Sequence, residues 1–485
     1  MNVRHVINAI KEITKRDIHE SPIYEKIAEW RAWLDGDVKG FHEYQAMTDL
    51  VNKTYTKIRR YKTDMLKRGS EDWASLLLNE GTRIELDDKA SEKWLLGENG
   101  LGGVLDDNAF RRNANELIVT SRWSGTGAFE VYVDNMQVAA DDSAKLLKGD
   151  SVGINFLSAD QIFPISHRNG ILKEVAFASN KVIDGEKMTE VTMHTLEGGQ
   201  YTITKFYIGD SGKVVGAPVA IRTQSPKPWF SIVRKSGYNR YDPDSPFGVS
   251  IIDGSEDVMK GLDAAFDNFI LDFQLLGRKM VFMNSSMFAE GVDGRMVAPQ
   301  MAGANLFLNT GDSIAEGKFI EEYNPKIRVD ENVLGLQKML DLFAFKIGLG
   351  EGFYRLDKSG DIQTATEFIG SKQTLIKNAA KEMISVTEAL VQIVEAILWV
   401  GEFVLQVPGV KADAMVTVLP DDGYLTDEYT ERRMWQEEIA QGLRSPVEYR
   451  VRFYGESEAD AIEAIRKMRE QYPTIRQLIE QRDDI

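Results

Sequence analysis

Residues 253–276 read DGSEDVMKGLDAAFDNFILDFQLL and residues 331–347 read ENVLGLQKMLDLFAFKI. The rest of the chain is organised around these two stretches. In the first, Val258, Leu262, Ala265, Phe266, Phe269, Phe273 and Leu276 recur at helical spacing. Glu256, Lys260, Asp263, Asp267 and Gln274 fall on another face, which is expected to be water-facing. A helix over Asp253–Leu276 is about 36 Å long, more than an average globular helix needs. In the second, Leu334, Leu336, Met339, Leu340, Leu342, Phe343 and Phe345 leave little surface for water. A helix apolar around its circumference wants neighbours, from its own chain or from other copies. Between the two lies Arg278–Ile327, whose short apolar runs are broken by Gly, Asn, Asp and Pro. Lys279–Met283, Ala304–Leu308 and Lys318–Glu322 are its expected strands. Two helices closing a β insert project a small module away from a body.

The composition bounds the rest. The chain has 485 residues, enough for two to four domains or one elaborate subunit. With 43% hydrophobic and 27% charged residues it is globular rather than disordered. A formal net charge of −17 argues against a protein that grips DNA by neutralising phosphates. It permits one that lets DNA slide past. There is no cysteine, hence no disulfide framework, thiolate nucleophile or cysteine zinc site. Met1–Lys15 carries charges throughout and lacks the apolar core of a signal peptide. Ala389–Leu405 is strongly apolar but is interrupted by Glu395 and Glu402, so a buried helix and no membrane contact are expected. These features fit a soluble protein made in the cytoplasm.

Along the chain, residues 1–95 read as helical, most clearly over Pro22–Leu34, Phe41–Lys67 and Glu71–Leu78. Tyr55–Arg68 carries Lys57, Arg59, Arg60, Lys62, Lys67 and Arg68, read as a solvated face with a basic docking patch as the alternative. A helix over Asn113–Ser121 leads to the turn Gly125-Thr126-Gly127. Ala128–Asn135, Gly153–Leu157, Glu174–Ala178, Thr189–His194, Tyr201–Ile208 and Pro218–Thr223 read as strands between Gly, Asp and Asn turns. The region is helix plus sheet, α+β rather than alternating βαβ. Pro226–Pro246 is a proline-bounded loop. Its Asp242 and Asp244 resemble the start of a calcium loop, but the required Gly and distal Glu are missing, which favours a rigid turn. After the second long helix, Gly348-Leu349-Gly350-Glu351-Gly352 reads as a hinge. A long helix then runs from near Thr364 to about Gly401, followed by short strand and turn over 408–425. The tail is helical: Tyr429–Gln441, a capping box at Ser445-Pro446-Val447-Glu448, a break at Gly455, and Ser457–Gln471.

No motif marks an active site. The five histidines, His5, His19, His42, His167 and His194, show no helical metal-binding pair and read as surface or packing residues. There is no Walker A loop and no Gly-x-Ser-x-Gly elbow. Asp106-Asp107 and Asp141-Asp142 sit in turns, where adjacent side chains need not share a target. Carboxylates are plentiful, so a metal-dependent nucleic-acid-processing enzyme stays open as an alternative, but no spacing selects a ligand set.

Tyr241-Asp242-Pro243-Asp244-Ser245-Pro246-Phe247-Gly248-Val249-Ser250-Ile251-Ile252, followed by Leu262-Asp263-Ala264-Ala265-Phe266-Asp267, resembles the entry to the stem helix of portal proteins of tailed double-stranded-DNA bacteriophages. The branch is the portal/minor capsid group of phages of Gram-positive hosts. Arg278-Lys279-Met280-Val281-Phe282 resembles the strand that opens that family's clip, and Gln363-Thr364-Ala365-Thr366-Glu367 its long-helix start. Gly442-Leu443-Arg444-Ser445 with Gly455-Glu456-Ser457-Glu458-Ala459-Asp460-Ala461 resembles its crown. Trp30–Tyr44, with Trp33, Gly36, Phe41 and His42, also fits. The matches occur in the family's order over most of the chain; for 101–222 only the texture matches.

The resemblance implies a ring of twelve copies at one capsid vertex of a virion, a conduit for packaging and ejection of double-stranded DNA. Each copy would have a wing (1–252), stem helices (253–276 and 331–350), a clip (277–330), a channel loop (351–363), a long helix returning to the wing (364–425) and a crown (426–485). Val258, Leu262, Phe266, Phe269, Leu336, Leu340 and Phe343 would pack the stem and its neighbours. Arg355, Asp357, Lys358 and Asp361 would line the channel, with Arg355 and Lys358 touching phosphates. Implied partners are terminase, head–tail connector or adaptor proteins, and major capsid and scaffolding proteins. No catalysis and no cofactor is implied. A different head–tail structural protein is the remaining alternative. Twelve copies would carry about −200 charges, which keeps a DNA conduit slippery.

Overall fold

Asn2 opens the first helix by accepting from the amides of Arg4 and His5, and Val6, Ile7 and Ile10 recur at helical spacing behind it. The computed structural model describes residues 2–18, 20–49, 54–98, 101–139, 144–183, 185–275, 279–282, 289–290, 296–297, 320–323, 328–356, 365–420 and 428–471. Its principal elements run α1 (Val3–Thr14), α2 (Ile23–Asp35), β1 (Glu43–Asp49), β2 (Thr54–Arg59), α3 (Met65–Leu77), β3 (Arg83–Leu86), α4 (Lys89–Leu96), α5 (Phe110–Ser124), β4 (Thr126–Asp134), β5 (Ser151–Ser158), β6 (Ile162–Arg168), β7 (Ile171–Ile183), β8 (Glu186–Glu197), β9 (Gln200–Gly209), β10 (Val214–Arg222) and β11 (Phe230–Arg234). They continue with α6 (Glu256–Leu275), β12 (Lys279–Phe282), β13 (Ile320–Tyr323), α7 (Val329–Lys346), α8 (Ala365–Phe403), β14 (Val416–Leu419), α9 (Glu428–Ala440), α10 (Pro446–Tyr454) and α11 (Glu458–Gln471). The fold is α+β.

Two compact units result, one of Met1–Asp361 with Lys377–Asp421 and one of Ile362–Ile376 with Asp422–Ile485. In the first, β6 to β10 form a five-stranded antiparallel meander, each strand beside the next. The stripe of α1 packs on it with Ile18, Phe163, Val191, Met193 and Phe206. A second, three-stranded sheet has the order β11-β4-β5. The sheets are joined by a buried pair: His194 Nε2 on β8 lies 2.9 Å from Glu130 Oε1 on β4, and Asn155 donates to the other carboxylate oxygen at 3.0 Å. α5 covers the smaller sheet, with Phe110 stacked on Phe129 at 5.5 Å between centroids. It ends at Gly125, φ 86°, where a Cβ on Gly248 would stand 2.4 Å from the Gly125 carbonyl oxygen. Only glycine allows that crossing. Gly248 N donates to Thr126 Oγ1 at 2.9 Å across it.

Gln373–Phe403 is long and apolar enough to cross a membrane by length and composition. In this fold its apolar side is used within the first unit: Leu390, Ile393, Val394, Ile397, Leu398 and Val400 are buried. Ser231 Oγ donates to Ala389 O at 2.9 Å, and Trp229 meets Trp399 at 6.0 Å. Arg122, wholly buried on α5, donates to Glu382 on α8. Glu382 also accepts from Ser236 N at 3.0 Å and from Ser236 Oγ. Burial pushes the Glu382 carboxyl up, but Arg122 and Lys235 outweigh it and hold it below the usual range. Burial lowers Lys235 itself. Further along, β14 pairs with β3, and Lys411 reaches Asp88 at 2.7 Å at the cap of α4. Lys411, with the Ser91 amide and hydroxyl, holds the Asp88 carboxyl at about 2.

Three segments depart from their expected structure. Arg83–Leu86, within the stretch read as helical, is the strand β3, and Phe230–Arg234, within the expected loop Pro226–Pro246, is β11, which can pair with β4 because Pro226, Pro228, Pro243 and Pro246 all lie outside it. Phe41–Lys67 is not a helix but the antiparallel ribbon β1–β2 followed by the start of α3. Thr56 and Ile58 alternate along one side of the strand and Tyr55 lies on the other, all residues that suit a pleated ribbon. The intervening Lys and Arg residues imitate a charged helix face. The basic run is largely paired: Lys57 with Glu43, Arg60 with Asp267, Lys62 with Asp64, Lys67 with Glu71 and Arg68 with Asp72. In the insert, β12 pairs with β13. The expected strand Ala304–Leu308 lies outside the described residues.

In the second unit, Ser445 Oγ accepts from Val447 N at 3.1 Å and Glu448 accepts from Ser445 N at 3.0 Å, the reciprocal cap expected of that tetrapeptide. Pro446 takes the first helical turn, and Gly455, φ 66°, ends α10. Trp435 of α9 packs on Phe453 of α10 at 5.4 Å, and the Arg444 guanidinium lies 3.8 Å over Trp435.

Candidate functional site

α6 and α7 form an antiparallel helical hairpin. At the outer end Asn332 Nδ2 donates to Asp272 at 2.7 Å, and Arg328 Nη2 donates to both its oxygens at 3.2 Å. Asn332 first, then Arg328, hold the Asp272 carboxyl below its usual range. Further in, the axes approach at Gly261, where a Cβ would meet Met339 Cε at 2.5 Å. At the inner end Trp73 Nε1 of α3 donates to the Ile347 carbonyl at 3.1 Å, and Gly69 faces Ile347 and Phe343. Leu262, Leu336, Leu340 and Phe343 are buried in this contact zone, while Val258, Phe266 and Phe269 are half-buried.

The polar stripe of α6 is only in part the water-facing edge expected of it: Lys260 is exposed and Glu256 half-buried, but the middle of the stripe is covered. Asp263 and Asp267 are buried and hold the base of the ribbon. Asp263 accepts from Thr63 N at 2.8 Å and Thr63 Oγ1 at 2.6 Å, and His42 Nε2 stands 3.1 Å from its other oxygen. Val38 N donates to His42 Nδ1 at 3.0 Å, so the ring proton sits on Nε2 and the histidine donates to Asp263. Asp267 accepts from Tyr61 N at 2.9 Å and pairs with Arg60 at 3.5 Å. The Arg60 guanidinium lies over Phe41 at 4.3 Å and Tyr44 at 5.1 Å. A carboxylate spaced by four on a helix reads as surface until its long-range donor is known.

α7 carries two faces. Leu336, Leu340 and Phe343 are buried on one; Leu334, Leu342 and Phe345 are 62%, 41% and 55% exposed on the opposite one. At about 100° per residue the two sets lie roughly 180° apart. The covering expected around this whole helix is thus half present among the described residues.

The segment after α7 turns back along it. Gly348, Gly350 and Gly352 all have positive φ, and Leu349 N returns to the Ala344 carbonyl at 2.9 Å. Asn378 Nδ2 of α8 donates to Gly348 O at 2.8 Å. Gln337 then clamps the chain: its amide donates to Tyr354 O at 2.7 Å and accepts from Leu356 N at 2.9 Å. The Tyr354 hydroxyl donates to Asp72 at 2.8 Å; burial first, then that carboxylate, push its titration up, so it stays a donor. Arg355 is exposed beside this clamp. Asp357, Lys358 and Asp361 lie outside the described residues. Gln337, Tyr354 and Asp72 were not legible as a site in the sequence, since no local pattern pairs residues so far apart.

Gln337→Ala removes both clamp bonds, each worth about 0.5–1.5 kcal/mol. Trypsin cleavage after Arg355 is expected to quicken about tenfold with the unfolding midpoint little changed. An unaltered cleavage rate would show that Gln337 does not hold the segment.

Among the described residues no group of three or more His, Asp or Glu is placed to hold a metal ion. A cavity of 910 Å³ is lined by Arg83, Arg111 and Arg112 with Glu80, Glu85 and Asp106, so opposite charges balance around it.

No protein-family model matches the chain, and no curated protein matches it. Among solved structures it is similar to the neck of a native GTA particle computed with C12 symmetry, with a TM-score of 0.35, 12% identity, and coverage of 79% of this chain and 88% of that chain.

Proposed function

We propose that this chain is a portal-type subunit that packs side by side with identical copies into a ring, through which double-stranded DNA enters and leaves a capsid. The observation that carries the reading is the outer face of α7. Leu334, Leu342 and Phe345 form an exposed apolar stripe on a helix whose other face is already buried. A stripe of this kind on a hairpin marks a protein contact. Identical copies supply it without any further gene product, and a closed ring leaves no stripe uncovered.

Three further features support the reading. The sequence segments that resemble portal stem, clip, long helix and crown occur in that order. The net charge of −17 suits a conduit that does not hold its DNA. The segment clamped by Gln337 leaves the hairpin at Arg355, where a cation can meet passing phosphates. In this reading the ring has twelve copies, sits in the virion at one capsid vertex among major capsid and scaffolding proteins, and catalyses nothing. Terminase supplies ATP hydrolysis, and head–tail connector proteins dock on the β insert.

Electron microscopy of the purified protein is expected to show rings with a central hole. A homogeneous monomer at every salt and protein concentration would overturn the proposal. Deleting Arg355–Asp361 is expected to leave rings intact while DNA packaging or retention fails. Normal packaging and retention would remove that segment from the channel.

A further inference from the structure

Two apolar surfaces flank the hairpin, and among the described residues neither is covered. One is the α7 stripe. The other is the ribbon β1–β2, a two-stranded sheet whose one further bridge among the described residues joins Glu43 to Lys39. On it Tyr55 is 56% exposed on one face and Ile58 36% exposed on the other, since residues three apart in a strand point to opposite sides. A two-stranded ribbon is marginal in water by itself. It is fixed at its base by Asp263 and Asp267 of α6. These residues point roughly 200–240° around α6 from Gly261, the position that meets α7. The helix α6 therefore stands between the two surfaces, and the ribbon of one copy cannot fold onto its own α7 stripe.

We infer that the ribbon of one copy covers the outer stripe of α7, around Leu334, on the next copy in the ring. The inference rests on the ring reading above and names the contact that closes it. Three observations select a second copy as the occupant. First, the surfaces stand at a similar height. Arg60 meets α6 at Asp267, about one and a half turns from Asp272, which holds Asn332, and Leu334 follows Asn332 by two residues. Rotation about a common axis brings one to the other. Second, the charges complement. On the Tyr55 face the ribbon presents Arg59 beside the Lys57–Glu43 pair, and the first turn of α7 beside Leu334 presents the exposed Asp330 and Glu331. Third, the surfaces differ and lie on opposite flanks. Such a pair makes a head-to-tail contact, which generates a ring, whereas a two-fold dimer needs one self-complementary patch.

The absence of cysteine from the chain makes the test clean. The full-length variants Ile58→Cys/Leu334→Cys and Tyr55→Cys/Leu334→Cys are treated with a short bifunctional maleimide after assembly. Most of the monomer band on a denaturing gel is expected to become a ladder that ends at the ring size. The single-cysteine variants are expected to stay monomeric on the gel. Rings seen by microscopy in the same samples without a ladder from either pair would overturn the contact and leave the ring reading standing. Absence of both rings and ladder would overturn the two together.

Discussion

Replacing Leu334, Leu342 and Phe345 together by glutamate is expected to convert rings into monomers. Burying one Leu or Phe side chain contributes about 1.5–3 kcal/mol. With 62%, 41% and 55% of their surface left to cover, the three supply about 2–5 kcal/mol to each subunit contact, and their loss weakens it about fifty- to three-thousandfold. Charge introduced into the contact adds to the effect through its desolvation. The folded monomer is expected to tolerate the same changes. The three residues are 62%, 41% and 55% exposed in it, and exposed substitutions cost about 0.5 kcal/mol or less each. Sedimentation measures the first outcome and the denaturant midpoint the second. Intact rings in the triple variant would show that the stripe is not the contact. A matching loss of monomer stability would show that it belongs to the chain's own core.

Glu382→Ala is the second large effect, and it acts on folding rather than assembly. It leaves the Arg122 guanidinium buried beside Lys235 with no carboxylate, and it removes the acceptor of Ser236 N. Breaking a buried pair from one side costs about 3–5 kcal/mol. The denaturant midpoint is expected to fall accordingly, and α8 to lose protection from hydrogen exchange near Ser385, whose hydroxyl accepts from Arg234 N at 3.0 Å. Arg122→Met with Glu382→Leu is expected to cost less than Glu382→Ala, since no charge of the pair is then stranded. Equal costs would mean that packing rather than charge dominates the site. The Glu382 carboxyl titrates below its unfolded value. Its contribution is therefore whole above about pH 4.3 and falls away as pH drops through the lowered value.

Local chemistry made much of the fold legible. The two long helices announce themselves by apolar spacing and lie at Glu256–Leu275 and Val329–Lys346, close to where periodicity puts them. Strands of the meander stand between Gly, Asp and Asn turns that the sequence displays. The reciprocal cap at Ser445 and Glu448 is written in four adjacent residues. In each case the decisive interaction spans a few residues, so its partners are visible together.

Tertiary structure alone decided the rest, because the deciding partners are far apart in sequence. Asp263 and Asp267 share the helical face of an exposed stripe, yet His42, Thr63, Tyr61 and Arg60 bury them from some two hundred residues away. The Phe41–Lys67 segment has helix-compatible residues, and its pairing into a ribbon is fixed by strand register and by that same anchorage. Gln337 is an ordinary polar residue until Tyr354 and Leu356 fold back onto it. Apolar spacing determined that α7 would want cover on every side. Which side its own chain covers, and which side is left for a neighbour, depends on where α6 and α3 come to lie.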